Sequence, residues 1–373
     1  MKLLVILIVG GLFYVLQNLI FKKFWIKKLD VTVEYEENMV REGENNVLVE
    51  IIENDKLLPL PVLQIKFSAT RTFIFPKEVN SAVTDNYYRN EFFSVKPYQK
   101  ITRKYRFIAS HRGEYKLNSL DIICKDFFLT RNMVAYTSAD SYVTVLPKRI
   151  SKGDVSDEIL NLTGEVVKRS RLFEDPFEFR AIRDYIPGDS MNHINWKATA
   201  QYDELMVNTF NTTDNQKVVL LVNLDMNAVI KRDTLCEETI RIADYLADTF
   251  IGNRLSVAMY TNGSDYETKE IVNVDEGCDA THLLNLEINL ARIDLNERIF
   301  PFKDVCRKHI KENDMSTEYI IISNYRKDDF VKMYEAYKED GYNLSLIVPE
   351  FAYNSIEPFG MGRELKWVVY DER

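Results

Sequence analysis

The chain has 373 residues, of which 46% are hydrophobic and 28% are charged, and its formal net charge is −9. This length predicts two folded domains, and the composition is that of globular rather than disordered proteins. Because phosphate recognition requires a basic surface, the acidic balance argues against a nucleic-acid partner. The four cysteines and four histidines are scattered without zinc-ligand spacing, so the cysteines are expected to be small buried hydrophobes.

An apolar run occupies residues 3–21, interrupted by the polar Gln17 and Asn18. At a rise of about 1.5 Å per residue it would span roughly 28 Å as a helix, enough to cross a membrane. A basic cluster, rather than a small-residue cleavage site, follows the run, which favours a retained anchor (residues 1–22) over a signal peptide. The positive-inside rule then places the soluble domains in the cytoplasm. The lysines of this cluster are Lys22, Lys23, Lys27 and Lys28.

Residues 30–150 show the pattern of a β-rich domain. Apolar and polar residues alternate at 31–35 and 46–52, as they do in half-buried strands. Residues 76–90 are polar and predict a loop, and no long helical pattern interrupts the domain. A β-sandwich-like domain is therefore predicted. The further candidate strands are residues 63–68, 99–108, 114–117, 119–124 and 142–146.

Residues 151–215 are interpreted as a linker and signature segment. Charges of both signs are dense between residues 169 and 184, which indicates either a solvated surface or an ion-paired collar and docking face. The Pro-Gly-Asp sequence at 187–189 predicts a tight turn. Trp196 is predicted to bury its ring.

Residues 216–373 alternate apolar runs with helical spacing, which predicts a mostly parallel, doubly wound α/β sheet. After Lys217, residues 218–222 are continuously apolar, as expected of a strand buried on both faces. Ligands of such sheets bind at the carboxyl ends of the strands, near the point where the strand order reverses. The overall fold class predicted is α+β multidomain.

The segment 171–210 resembles the family known as domain of unknown function 58. Its signature is an arginine and a tyrosine before Pro-Gly-Asp, followed by Ile-Asp-Trp-Lys-Ala-x-Ala-Arg. Asn195 stands where aspartate is usual, and Gln201 where arginine is usual. The resemblance extends to residues 111–115 and 126–128, and thus to nearly the whole chain. The matching signature positions are Arg183, Tyr185, Pro187, Gly188, Asp189, Ile194, Asn195, Trp196, Lys197, Ala198 and Ala200.

The family is similar to von Willebrand factor A domains, which carry a metal-ion-dependent adhesion site. The resemblance implies that oxygen ligands for Mg²⁺ would come from strand ends and adjoining loops. Because most of the expected carboxylates are replaced here, a bound ion should be weak, and the alternative is a set of polar caps at strand–helix junctions. The implied positions are Asn223, Asp225, Asn227, Asp279 with its neighbour Cys278, and Ser323 with Asn324.

No nucleotide-binding glycine motif, nucleophile elbow or nucleophile cluster is present in the sequence, so the chain is predicted not to be an enzyme. Members of the family are commonly encoded beside MoxR-type AAA+ ATPases and transglutaminase-like membrane proteins. The resemblance therefore implies a membrane-anchored adaptor that works with such partners in assembly, maturation or envelope processes. The alternatives are a surface adhesion or ligand-binding module with a degenerate metal site, and a hydrolase that uses Asp189 near Arg183.

Overall fold

The chain is described here by a computed structural model, in which contacts divide it into two compact units, Met1–Lys148 and Arg149–Arg373. Each unit is described by itself. The residues that the structure describes are 2–76, 81–83, 86–117, 119–172, 174–186, 191, 194–202, 204–212, 217–226, 232–297, 299–310, 316–353 and 363–370.

The first unit consists of one helix and a series of antiparallel strands. Its described elements are α1 (Lys2–Phe24), β1 (Leu29–Tyr35), β2 (Met39–Arg41), β3 (Asn45–Asn54), β4 (Leu60–Thr70), β5 (Phe73–Ile74), β6 (Ser81–Val83), β7 (Asn86–Val95), β8 (Gln99–Ala109), β9 (Gly113–Lys116), β10 (Ser119–Lys125), β11 (Asn132–Ser138) and β12 (Tyr142–Leu146).

Two larger sheets and one smaller sheet enclose the core of the first unit. The strand orders are β1-β3-β8-β5, β11-β10-β4-β7-β6 and β2-β12-β9. Every second residue of β3 is buried, as a strand with one face on a core requires. The Phe73 and Phe107 rings stack at 4.3 Å between centroids within this core. The predicted β-rich domain is therefore observed, with β7 entering the region from 76 to 90 that was predicted to be a loop.

Helix α1 is apolar on most of its surface but packs one face against the β-rich domain. Gln17, Phe21 and Trp25 are buried, and Phe21 and Trp25 belong to the same core as the strands. Within the part of the chain that the structure describes, α1 is the one helix long and apolar enough to cross a membrane, a criterion that a signal sequence also meets.

The second unit alternates helices and strands. Its described elements are a 3₁₀ turn (Lys152–Asp154), α2 (Asp157–Leu172), β13 (Glu174–Asp184), α3 (Trp196–Tyr202), β14 (Met206–Thr212), β15 (Lys217–Val222), α4 (Arg232–Gly252), β16 (Ser256–Asp265), β17 (Ile271–Gly277), α5 (Ala280–Ala291), β18 (Ile293–Asp294), α6 (Phe302–His309), β19 (Glu318–Ile322), α7 (Asp328–Glu339), β20 (Leu344–Phe351) and β21 (Arg363–Val369).

The main sheet of this unit has the strand order β17-β16-β15-β19-β20-β21, with β18 beside β16. Strands β15, β16, β19, β20 and β21 run parallel, whereas β17 and β18 are antiparallel to β16. In chain order, β16 and β17 are added on one side of β15, and β19, β20 and β21 are then added on its other side. The carboxyl ends of β15 and β19 therefore flank the point where the strand order reverses.

Both faces of this sheet are covered, which explains the continuous apolar run of β15. Alternate residues of β15 enter different clusters: Val218, Leu220 and Val222 face α2, α4 and α5, while Val219 and Leu221 face α6 and α7. A strand with only one buried face would have needed polar residues at alternate positions. The α+β class with an N-terminal apolar helix is thus confirmed.

The segment interpreted as a linker is partly structural. Helix α2 buries Ile159, Leu162 and Val166, which lie on one face at helical spacing, in the core of the second unit. Glu165, the one charged residue between Ile159 and Val166, is exposed. The contact division falls between Lys148 and Arg149, so this segment belongs with the second unit.

Candidate functional site: a strand-end edge and a signature surface

A buried cluster of polar side chains lies where the strand order reverses. Asn223, the first residue after β15, is fully buried. Its Nδ2 donates to Ser323 Oγ at 2.9 Å, which joins the ends of β15 and β19. Its Oδ1 accepts from Asn262 Nδ2 at 2.8 Å and from the Asp225 backbone N–H at 2.9 Å. We refer to Asn223, Asn262 and Ser323 as the amide cluster.

The other members of the amide cluster hold the neighbouring loops. Asn262 Oδ1 accepts from the Leu224 N–H at 2.8 Å, and its Nδ2 also donates to the Phe300 carbonyl at 3.2 Å. Ser323 Oγ accepts a second bond, from the Tyr325 N–H at 3.1 Å. Because buried polar groups are costly when unpaired, this network fixes the backbone of three loops at the carboxyl edge of the sheet.

The oxygens of the amide cluster do not suit a resident divalent cation. Asn223 Oδ1 and Ser323 Oγ each already accept two hydrogen bonds, so a metal would have to break bonds made by buried donors. Asp225 is half-buried and is the one carboxylate placed beside the cluster among the described implied positions. Ca²⁺ and Mg²⁺ prefer several oxygen ligands with compensating charge, which this arrangement does not offer.

The surroundings of Asp225 are cationic. The pKa of Lys327 is raised, chiefly by a hydrogen bond with the Tyr325 side chain and to a smaller extent by the Asp225 carboxylate. Arg232 Nη2 lies 3.5 Å from the Leu224 carbonyl in the same loop. Positive charge near the Asp225 carboxylate opposes the approach of a further cation.

Asp279 lies at the opposite edge of the sheet from Asp225. It is the N-cap of α5, and its Oδ1 accepts from the His282 N–H at 2.6 Å. Gly277, just before it, pairs with Val257 near the start of β16. The distance along the strands from that edge to Asp225 is roughly 23 Å. The structure therefore does not bring these two aspartates together.

The remaining implied positions complete this picture. Asn227 lies outside the described residues, Asn324 is buried after β19, and Cys278 is exposed beside Asp279. Within the ranges that the structure describes, no group of three His, Cys, Asp or Glu side chains is placed to hold a metal ion.

The signature segment is organised by Asn195, the position where the family pattern usually has aspartate. Asn195 Oδ1 accepts from the Ala198 N–H at 2.9 Å and so caps the first turn of α3. Its Nδ2 donates to Asn208 Oδ1 on β14 at 2.7 Å. An aspartate could make the first bond but not the second, so the asparagine keeps the cap and ties α3 to the β13–β14 ribbon.

Trp196 is exposed, which corrects the prediction that its ring is buried. The side chain is 67% accessible. It occupies the first position of α3, a helix of seven residues that buries Ala198, and the capping bonds of Asn195 orient that helix with Trp196 outward. Other large apolar side chains of the same segment are also exposed. The signature surface, as we define it, consists of Ile182, Ile186, Met191, Trp196, Tyr202 and Leu205.

The other signature residues have different positions. Arg183 Nη1 donates to the Asp184 carbonyl at 2.9 Å. Tyr185 is half-buried, and its N–H bonds to the Leu205 carbonyl at 2.8 Å. Lys197 is exposed on α3. Pro187, Gly188 and Asp189, predicted to form the turn, lie outside the described residues.

Comparison with known families identifies the class of protein to which this segment belongs. Residues 181–280 match the model of the family described as "Protein of unknown function DUF58". This segment is therefore similar to that family, as the signature residues indicated. The matched range includes the signature surface and the first two parallel strands of the main sheet, but ends before β19.

No curated protein matches the chain. Solved structures that resemble part of it include a CARDB domain from Pyrococcus furiosus, with 16% identity and a TM-score of 0.21 over 32% of this chain and 96% of that one. A type I cohesin in complex with a dockerin from Clostridium thermocellum has 7% identity and a TM-score of 0.24 over 32% of this chain and 100% of that one. A non-cellulosomal cohesin from Archaeoglobus fulgidus has 11% identity and a TM-score of 0.23, over 36% and 96% respectively.

Proposed function

We propose that this protein is a membrane-anchored, non-enzymatic adaptor whose signature surface binds a protein partner. The observation that carries the proposal is the exposure of Trp196 within a group of exposed apolar side chains. Contiguous exposed apolar groups on a soluble domain commonly mark interaction sites. Tryptophan and tyrosine, both present here, are the residues most enriched at the energetic centres of protein interfaces.

The order of the signature segment supports a docking role. The capping of α3 by Asn195 and its bond to Asn208 hold the segment in one conformation. A surface that is already ordered loses less conformational entropy on binding than a disordered one. The partner would therefore meet a preformed apolar face.

The proposed partner is a MoxR-type AAA+ ATPase, with a transglutaminase-like membrane protein as a further component. This assignment rests on the family resemblance of residues 171–210. In the same proposal, the second unit is a von Willebrand factor A-like domain, for which the strand order and the polar cluster at the reversal point are the supporting features. The soluble units would lie in the cytoplasm, as the lysines after α1 suggest.

The alternative, an adhesion module with a metal site, gains no specific support from the geometry. The implied oxygens are engaged in hydrogen bonds, and the charge beside Asp225 is positive. The adaptor is therefore the function that the described residues favour.

The partner can be identified by mild crosslinking of the tagged full-length protein in its native membrane, with and without ATP. Recovery of an AAA+ ATPase that depends on nucleotide is the expected result. Recovery of envelope or extracellular proteins alone would overturn the adaptor proposal in favour of adhesion.

The role of the signature surface is tested with the recovered partner and the variant Trp196→Ala. The expected loss of affinity is at least about 2 kcal/mol, or roughly thirtyfold, as for truncation of a central interface aromatic. Tyr136→Ala removes an equally exposed aromatic from the first unit and serves as the matched control. Equal affinities for the two variants would show that the signature surface is not the docking site.

A further inference from the structure

The turn between β10 and β11 presents three consecutive large apolar side chains to the outside. Phe127, Phe128 and Leu129 are 58%, 47% and 55% accessible. We call residues 126–131 the hairpin tip. Apolar residues at an exposed turn are unusual, because turns normally carry small and polar residues. Leu129 even adopts a φ of +60°, a conformation that costs energy for a residue with a branched side chain.

Asp126 holds the hairpin tip in this conformation. Its Oδ1 accepts from the backbone N–H groups of Thr130 and Arg131 at 2.6 and 3.0 Å, and its Oδ2 accepts from Thr130 Oγ1 at 2.6 Å. The carboxylate thus replaces the hydrogen bonds that the turn backbone would otherwise make with water. The backbone N–H groups of Thr130 and Arg131 are consequently paired within the tip.

The hairpin tip is packed against the middle of α1. The Phe128 ring lies 6.2 Å from the Phe13 ring and 5.9 Å from the Tyr14 ring, between centroids. Gln17, which interrupts the apolar run of the helix, donates from Nε2 to Asp126 Oδ2 at 3.1 Å. The Gln17 amide nitrogen is therefore paired with the tip rather than exposed to lipid, as polar groups in membrane segments usually are.

The level of this contact on α1 fixes the depth of the tip. Phe13 lies near the middle of the apolar span Leu4–Phe24. The hydrocarbon core of a bilayer is about 30 Å thick, close to the length of this span as a helix. If α1 spans the bilayer, Phe13 lies within the hydrocarbon, and Phe128 beside it must lie there too.

The surrounding surface suits an anionic membrane. The register places the start of β4, the end of β7 and the start of β8 at the same end of the unit as the hairpin tip. The loops there expose Leu57 and Tyr98. Basic side chains at this end complement negatively charged headgroups. They include Lys22, Lys23, Lys27, Lys28, Lys96, Lys125 and Arg131.

From these observations we infer that Phe127, Phe128 and Leu129 of the hairpin tip form a second membrane-inserting element, which enters the hydrocarbon of an anionic phospholipid bilayer alongside α1. The inference rests on the anchoring role of α1 in the proposed function and is independent of the protein partner. It gives the exposed phenylalanines an apolar environment and explains why a membrane-length helix carries Gln17.

The test uses the full-length protein in vesicles of phosphatidylcholine and phosphatidylglycerol. In a Cys278→Ser background, which removes the exposed native thiol, single cysteines are introduced by Phe128→Cys, Leu12→Cys and Tyr136→Cys and labelled with an environment-sensitive fluorophore. Leu12 is an exposed position on α1. Tyr136 pairs with Asp121, roughly 17 Å along the hairpin from the tip. Leu129→Cys is the second tip variant if Phe128→Cys does not fold.

The labels at Phe128 and Leu12 are expected to show blue-shifted emission and quenching by lipids with spin labels on their acyl chains, whereas the label at Tyr136 is not. Before labelling, the tip thiol should react with a water-soluble maleimide at least about tenfold more slowly than the Tyr136 thiol, because apolar surroundings suppress the thiolate. Quenching at Leu12 without quenching at the tip would overturn tip insertion and leave the anchor standing. Absence of quenching at Leu12 would overturn both.

Discussion

The amide cluster predicts that Asn262→Ala severely destabilises the second unit without touching its apolar core. Asn262 is fully buried and makes three hydrogen bonds, to Asn223, Leu224 and Phe300. In the alanine variant, the Leu224 N–H would lose its side-chain acceptor, and the Phe300 carbonyl would lose the bond from Asn262 Nδ2. Asn223 Oδ1 would keep its bond from the Asp225 N–H.

The magnitude follows from these two lost bonds. Leaving the buried Leu224 N–H unsatisfied costs about 1–3 kcal/mol and losing the part-buried bond to Phe300 about 1 kcal/mol, so the expected loss of unfolding free energy is roughly 2–4 kcal/mol. That range exceeds the effect of most single substitutions. Asn262→Asp should lie within it as well, since an aspartate can accept from the Leu224 N–H but cannot donate to Asn223 or to Phe300.

The assay is urea unfolding of the full-length protein, combined with hydrogen exchange of the peptide that covers residues 217–226. Hydrogen exchange is needed because a chain of two units does not unfold in a single step. Asn296→Ala, which removes an exposed asparagine on the loop after β18, is the control and should change stability by less than about 0.5 kcal/mol. A loss below about 1 kcal/mol for Asn262→Ala would refute the view that the amide cluster fixes these loops.

Three further substitutions have expected outcomes of different kinds. Burial raises the pKa of Glu50 to about 7, so ionisation of Glu50 destabilises the fold as pH rises. In urea unfolding, Glu50→Gln should therefore increase the free energy of unfolding by up to about 3 kcal/mol at pH 8. This gain should become smaller as the pH is lowered towards 4.5. In thermal unfolding, Asp279→Ala should lower the stability by about 1 kcal/mol because the α5 cap is lost, whereas Asp279→Asn should retain most of the stability that the cap provides. Gly263→Ala would place a Cβ 2.6 Å from Leu224 Cδ1 and should cost about 1–3 kcal/mol in urea unfolding by overpacking.

Each of these outcomes has a result that would contradict it. For Glu50, the sign of the change in unfolding free energy is decisive. Between pH 4.5 and about 7, the folded state binds a proton that the unfolded state has lost. If Glu50→Gln destabilised the protein at pH 8, the ionised carboxylate would be stabilised by its surroundings in the folded state. Equal stabilities of the two Asp279 variants would rule out the cap. A neutral Gly263→Ala would mean that the buried Leu224 side chain has room to move.

The sequence predicted the buried strands well because their residue pattern is set by two covered faces. The metal-ligand position of Asp279 was implied by the family resemblance, whereas the alternative given for it, a polar cap at a strand–helix junction, is the role observed. Only five residues separate β16 from β17, whereas a parallel crossover needs about a dozen. That short connection required an antiparallel pair and therefore placed Asp279 at the far edge.

The exposure of Trp196 could not be read from the sequence, since burial of a helix face depends on what packs against it. The residue pattern of α3 is compatible with Trp196 facing either inward or outward. The helix is oriented by two bonds of Asn195, one to the Ala198 N–H and one to Asn208. In α2, by contrast, Ile159, Leu162 and Val166 recur at the spacing of one helix face, so the sequence itself indicates a helix with one buried face.

The burial of Phe21 and Trp25 in the core of the first unit has a mechanical consequence. Only four residues lie between α1 and β1. Because Trp25, one of these four, packs in the core, the helix and the strands are not joined by a flexible linker. A force applied to the β-rich domain would be transmitted directly to α1, because no flexible linker would extend first. In such a connection, work done by a partner on the folded part becomes tilt or displacement of the helix itself.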